Sequence, residues 1–256
     1  MAHSGVDVTV GMRMVVAAAR EIRDGEVVFV GMRLPLLAFA VARSTHAPDA
    51  VGLYENGVIR EVPAESLIYT MADGPNLEGA TMLGDMLSVM GPLASGRVAL
   101  GFLGAAQVDR YGNLNSTHVE GERGPVRLPG SGGACDIACL AGRTVALMKH
   151  EATRLVPRVD YITSPGWGEG RGWRASVGLS RGGTSALITT RGVIRFDSPD
   201  RVGRLASFHP GESIDSVREN TGWNLEAAAD CRETPEPTPE EISALKRYDP
   251  ERFWTG

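Results

Sequence analysis

The sequence predicts an α/β fold: an open, mainly parallel sheet with flanking helices and an antiparallel extension. Three observations predict it. Short apolar runs recur at Glu26–Val30, Val51–Tyr54, Val98–Leu103 and Arg143–Met148, each bounded by turn formers, and each reads as a buried strand. A helical stretch with Pro35 in its first turn separates the first two runs. That strand–helix–strand order implies a parallel pair with a crossover helix. In the C-terminal third, Ser185–Thr190 and Val193–Phe196 flank Arg191-Gly192 and read as a β-hairpin.

Taken in order, Met12–Ile22 has a helical pattern stopped by Asp24-Gly25. The strand Glu26–Val30 follows, Gly31 opens a turn, and Pro35 precedes a helix over Leu36–Arg43. The strand Val51–Tyr54 runs into Glu55, and Asn56-Gly57 turns the chain sharply. A helix is expected in Thr81–Met90. Between the strands Val98–Leu103 and Arg143–Met148 lies a long stretch rich in Gly and Asn, Gly104 to Gly133; loops of that length inside a domain are usually functional. After the hairpin come a strand over Arg204–Phe208 and a short helix over Ser213–Asn220. Glu233–Pro239 reads as a Pro/Glu-rich linker, and Thr238-Pro239-Glu240-Glu241 as a capping box that starts a terminal helix. There is no internal repeat. We expect a single domain over 1–256, with 233–256 as a C-terminal linker and helix.

Composition bounds the function. With 43% hydrophobic and 22% charged residues in 256, the chain has an ordinary globular profile. Its net charge of −5 argues against nucleic acid as the main partner. Cys135, Cys139 and Cys231 fit no disulfide framework or zinc pattern, which suits a reducing cytoplasm. Met1–Gly5 lacks the basic and apolar blocks of a signal peptide, and the apolar run Leu34–Val41 is too short to span a membrane. His46, His118, His150 and His209 have no metal-ligand spacing, so no metal is expected.

Four stretches could carry chemistry: Tyr54–Gly57, Gly104–Thr117, Gly130–Ala138 and Ser164–Trp167. Glu55 is either a plain turn carboxylate or a nucleophile held close to an electrophile, with Asn56 as the neighbouring amide that could hold the anion. The loop Gly130-Ser131-Gly132-Gly133-Ala134 is either a turn or a set of backbone N–H donors able to form an oxyanion hole. It matches neither the dinucleotide nor the P-loop fingerprint. Gln107 and Asn115 either tie down their loop or orient a substrate carboxylate or thioester carbonyl. Trp167 reads as packing. Cys135 is a small space-filler or a reactive thiol.

In this order, the stretches resemble the β subunit of family I CoA transferases, the glutaconate CoA-transferase type in particular, from about Gly25 to about Gly222. The resemblance is carried by Gly31–Pro35, Ala47-Pro48-Asp49, Glu55, Gln107–Thr117, Gly130–Ala134 and Asp160–Trp167. It implies a CoA-transferase (NagB/RpiA-like) fold and a ping-pong reaction through a glutamyl-CoA thioester. CoA enters as substrate, with no other cofactor. Glu55 matches the catalytic glutamate. Gly130, Ser131, Gly132, Gly133 and Ala134 match the segment whose backbone lines the active site, and Asn56, Gly57, Gln107, Asn115 and Cys135 are expected beside the substrate. A separate α subunit is the implied partner.

Two residues depart from the family pattern: Tyr54 where the ketoacid-type enzymes carry Ser, and Cys135 where Asn or Met usually follows the loop. Other members resemble ring-cleaving hydrolases of steroid-derived CoA thioesters, or decarboxylases. These lack the glutamate, so Glu55 favours transfer over an acyl-CoA or ring-cleaving hydrolase, or a non-catalytic structural subunit. The implied acyl group is dicarboxylic and glutaconate-like, with Arg33, Arg60 or His118 meeting its distal carboxylate.

Overall fold

The computed structural model describes residues 7–256; Met1–Gly5, read above for a signal sequence, lie outside them. The chain begins with α1 (Val10–Ala19), capped by Thr9, whose hydroxyl accepts from the Met12 N–H. Then come β1 (Val27–Phe29), α2 (Leu34–Ser44) with Pro35 in its first turn, β2 (Val51–Leu53) and β3 (Val58–Arg60). The short α3 (Gly74–Leu77) leads to β4 (Met82–Leu83) and α4 (Met86–Ala94). That last helix starts later than Thr81: residues 82–83 pair as a strand, and Asp85 forms a capping box with Ser88.

After β5 (Leu100–Leu103), the expected loop Gly104–Gly133 carries four short strands: β6 (Gln107–Asp109), β7 (Leu114–Asn115), β8 (His118–Val119) and β9 (Val126–Arg127). Next come α5 (Ala134–Leu140), β10 (Arg143–Met148), β11 (Leu155–Val156), α6 (Trp173–Ser176), β12 (Thr184–Thr189) and β13 (Gly192–Arg195). The chain closes with β14 (Arg204–Phe208), α7 (Ile214–Glu219), β15 (Ala227–Glu233) and α8 (Pro239–Tyr248). Glu233 therefore ends a strand, and the linker is shorter than expected.

Ten strands form one sheet in the order β15-β14-β13-β12-β10-β5-β1-β2-β3-β4. Its centre, β12-β10-β5-β1-β2, is parallel throughout. Antiparallel pairs extend it on both sides, β12–β13–β14 on one and β2–β3–β4 on the other, where one extension was expected. The outermost pair, β14–β15, is parallel again. The central strands read as continuous apolar runs because both faces are covered. Val28 and Val30 pack with α1 and α2 on one face, while Phe29 packs with Val89 of α4 and Ile137 of α5 on the other. From β1 the chain steps to β2 on one side and then to β5 on the other. The strand order thus reverses between β1 and β5, and such a reversal opens a crevice at the carboxyl ends of the strands. Among the described residues no helix is long and apolar enough to cross a membrane.

Candidate active site

That crevice is a cavity of about 720 Å³. Phe29 and Val30 at the end of β1, Glu55 after β2, Leu103 and Gly104 at the end of β5, Lys149 after β10 and Thr190 after β12 all contribute to its wall. The volume falls in the range of small-molecule sites.

Glu55 is brought to the cavity by a tight reversal. Tyr54 N–H donates to Val58 O and Gly57 N–H to Tyr54 O, each at 2.9 Å, so β2 turns directly into β3. Gly57 has φ +97°, and a Cβ there would lie 2.5 Å from Gly84 O. Only glycine fits that position without strain. Tyr54 is fully buried behind the turn and stacks edge-on against Phe39, at 6.4 Å between ring centroids. Burial pushes its phenol well above the ordinary tyrosine range, although Arg60 pulls the other way. Tyr54 therefore anchors the turn as a neutral packing residue.

The second component arrives from 78 positions away. Gly133 N–H donates to Glu55 Oε1 at 3.0 Å. The loop presenting it is pinned to Ser116 twice, by Gly130 N–H to Ser116 O and by Ser116 Oγ to Gly130 O, both at 2.8 Å. Gly130 and Gly132 take positive φ, +102° and +49°. Ser131 Oγ accepts from Cys135 N–H at the start of α5. Ser131, Gly133 and Ala134 line the cavity together with Glu55. A half-buried carboxylate with an aimed backbone donor on one oxygen leaves its other oxygen available to the cavity.

The remaining expected site residues lie elsewhere. Asn56 donates to Met71 O at 2.8 Å and does not hydrogen-bond Glu55; Gly133 takes the role expected of it. Gln107 and Asn115 are buried, and their amides are spent internally: Asn115 Nδ2 donates to Gln107 Oε1 at 2.7 Å and Gln107 Nε2 to Asp160 Oδ2 at 2.9 Å. Buried amides require such partners, and here they frame the β6–β7 hairpin outside the cavity wall. Cys135 is also outside that wall and sits beside Cys139, whose thiol is pushed up to about 11 by burial and by Cys135 itself.

Of the three candidates for a distal carboxylate, Arg60 is excluded. It is buried, and its guanidinium donates to the carbonyls of Val62, Pro63, Pro75, Asn76 and Glu78. His118 lies on the separate β8–β9 ribbon, 3.7 Å from Glu120 and beside Tyr161. Arg33 alone of the three lines the cavity.

Two wall residues carried little sequence signal. Lys149 is one of only two lysines in the chain and follows β10 directly. Trp254 lies past α8, in a segment folded back by Asp249, whose carboxylate accepts from the backbone N–H groups of Phe253, Trp254 and Thr255. Among the described residues, no cluster of three or more His, Cys, Asp or Glu side chains is placed to hold a metal ion.

Comparison with known proteins agrees with this architecture. The chain is 40% identical over 240 residues to the B subunit of 3-oxoadipate CoA-transferase from Pseudomonas knackmussii, covering 92% of this chain and 91% of that one. It is 35% identical over 231 residues to the B subunit of glutaconate CoA-transferase from Acidaminococcus fermentans, covering 87% and 86%. The crystal structure of the Acidaminococcus fermentans glutaconate CoA-transferase superposes with a TM-score of 0.89 at 31% identity, over 98% of each chain. The coenzyme A transferase family model matches residues 12–220, and the chain belongs to that family.

Proposed function

We propose that this chain is the β subunit of a CoA transferase in which Glu55 carries first an acyl group and then CoA. The observation that carries the reading is the Gly133 N–H aimed at Glu55 Oε1 inside the cavity. Oε2 attacks the thioester carbonyl of an acyl-CoA and expels CoA thiolate, leaving a mixed anhydride. The thiolate then attacks the Glu55 carbonyl carbon and expels the free acid, leaving a glutamyl-CoA thioester. An acceptor carboxylate reverses the two steps and takes the CoA. No water is consumed, and Glu55 ends as it began.

The placement of the Gly133 donor fits the second step. When the Glu55 carbonyl is attacked, negative charge collects on the oxygen that stays doubly bonded, which is Oε1. A donor already 3.0 Å from that atom stabilises the charge without reorganising. Such a donor is worth about 3 kcal/mol in the transition state.

Relatives of this chain are the B subunits of 3-oxoadipate and glutaconate CoA-transferases. Both acids are dicarboxylic, and the subunit names imply a second chain. We therefore read the acyl group as dicarboxylic and the active form as a hetero-oligomer with an α subunit. The complex, co-expressed with an α-type subunit, should exchange CoA between an acyl-CoA and a carboxylic acid only when the acid is supplied. Acyl-CoA hydrolysis at the same rate without any acid would contradict transfer and favour a hydrolase.

A further inference from the structure

We infer that Arg33 is the specificity residue of this site, the group that grips the distal carboxylate of the acyl chain carried on Glu55; the inference rests on the transferase reading above. Four observations point to it. Arg33 lines the cavity from the β1–α2 connection. Glu55 lines the same cavity. Its guanidinium makes no hydrogen bond or ion pair with the described residues, so its N–H donors are free beside the cavity. By contrast Arg154, the other arginine in the wall, is paired with Glu151 at 2.8 Å.

The third observation is conformational. Arg33 has φ +69° and ψ −120°, a region that a side-chain-bearing residue rarely occupies. The chain accepts this at the cavity wall, where glycine would be free of the cost. Fourth, the guanidinium is held from behind. Its Cζ lies 5.3 Å from the centroid of the Trp254 ring, and the indole N–H is itself fixed on Ile68 O at 3.0 Å. A stacked guanidinium keeps its donor edge free for a bidentate carboxylate. Trp254 is thus the positioning residue for Arg33.

A CoA phosphate is the other anion that could meet a free guanidinium. Arg33 follows β1, Glu55 follows its paired neighbour β2, and both line one cavity; that favours the acyl end, because the thioester must sit at Glu55. Lys149, three strands from β2 in the sheet order, is better placed for charge farther along the ligand.

The test uses the co-expressed α/β complex with acetyl-CoA as donor and glutarate or butyrate as acceptor. Wild type should favour glutarate. In Arg33→Met the ratio of kcat/KM for glutarate to that for butyrate should fall at least about tenfold, as expected for losing hydrogen bonds to a charged group. Arg33→Lys should restore part of the ratio. Arg33→Gly should lose the ratio equally while raising the melting temperature, since glycine relieves the backbone.

An unchanged ratio in both Arg33→Met and Arg33→Gly would overturn the assignment while leaving transfer intact. So would a rise in KM for acetyl-CoA that is the same with either acid, which is the signature of a phosphate contact. If the wild-type complex transfers CoA to neither acid, the transferase reading fails and this assignment fails with it.

Discussion

The backbone N–H of Gly133 lies 3.0 Å from Oε1 of Glu55, two residues 78 positions apart in the chain. Glycine is needed there for a reason other than backbone freedom: Gly133 has φ −79°, which any residue adopts. A Cβ on it would instead lie 2.8 Å from the same Oε1. Gly133→Ala is therefore a clean probe. The fold should survive with an unchanged thermal midpoint, while the methyl group displaces the carboxylate from its donor. Loss of one such donor costs roughly 100-fold or more in kcat. Steady-state transfer by the reconstituted complex measures it.

Gly57→Ala should act differently, through the turn. The new Cβ would meet Gly84 O at 2.5 Å, and φ is +97°. Strain and overlap of this kind cost about 2 kcal/mol. For a chain of this size the melting temperature should drop by roughly 4–8 °C. Activity should fall too, because the same turn aims Glu55. Calorimetry on the isolated chain checks the first effect independently of the second.

Arg60→Met tests the exclusion of Arg60 from substrate binding. The substitution strands carbonyls that the guanidinium now satisfies, including those of Asn76 at 2.7 Å and Glu78 at 2.8 Å. Leaving buried acceptors unpaired should destabilise the chain by about 2–4 kcal/mol, read from the urea midpoint. The glutarate-to-butyrate ratio should stay at the wild-type value in the fraction that folds.

Stability should depend on pH through His150. It is buried between Thr189 Oγ1 and Thr221 Oγ1, each 2.9 Å from a ring nitrogen. Burial, reinforced by nearby Arg191, lowers its pKa from 6.5 to about 4. The folded state therefore resists a proton that the unfolded state accepts. Its contribution is complete above pH 6.5 and is lost progressively as pH falls from 6.5 to about 4. A shift of that size corresponds to roughly 3 kcal/mol. Urea midpoints of wild type at about pH 7, 5.5 and 4.5 should decline across this window. His150→Gln should start lower and decline less steeply.

Much of the scaffold was legible because its central strands are buried on both faces and so read as unbroken apolar runs, as in Val145-Ala146-Leu147. The capping box at Thr238 and the first-turn proline at Pro35 announced their helices correctly. The edge strands were not legible. Met82-Leu83 is too short for a period to show, and Ala227–Glu233 is largely exposed, so no burial pattern marks it. The small strands within residues 104–133 are held by side-chain amides such as Gln107 and Asn115. Those residues accordingly read as ligand contacts when their partners were unknown.

Within the site, Glu55 and the glycine loop were legible as a nucleophile and a set of backbone donors for one reaction, but not which N–H meets which oxygen. Their contact is a product of topology: β2 and the loop before α5 converge only because the strand order reverses at β1. Trp254 was invisible for the same reason, since it reaches the cavity through the Asp249 fold-back after α8.

Covalent loading of Glu55 with CoA is the step on which the whole mechanism turns. The direct measurement is intact and peptide mass spectrometry of the α/β complex after brief incubation with an acyl-CoA and no acceptor. The peptide containing Glu55 should gain the mass of CoA less one water. The adduct should vanish on adding an acceptor acid and should be absent in Glu55→Gln, which should also be inactive. Steady turnover with no adduct on that peptide, or transfer that persists in Glu55→Gln, would contradict covalent catalysis by Glu55.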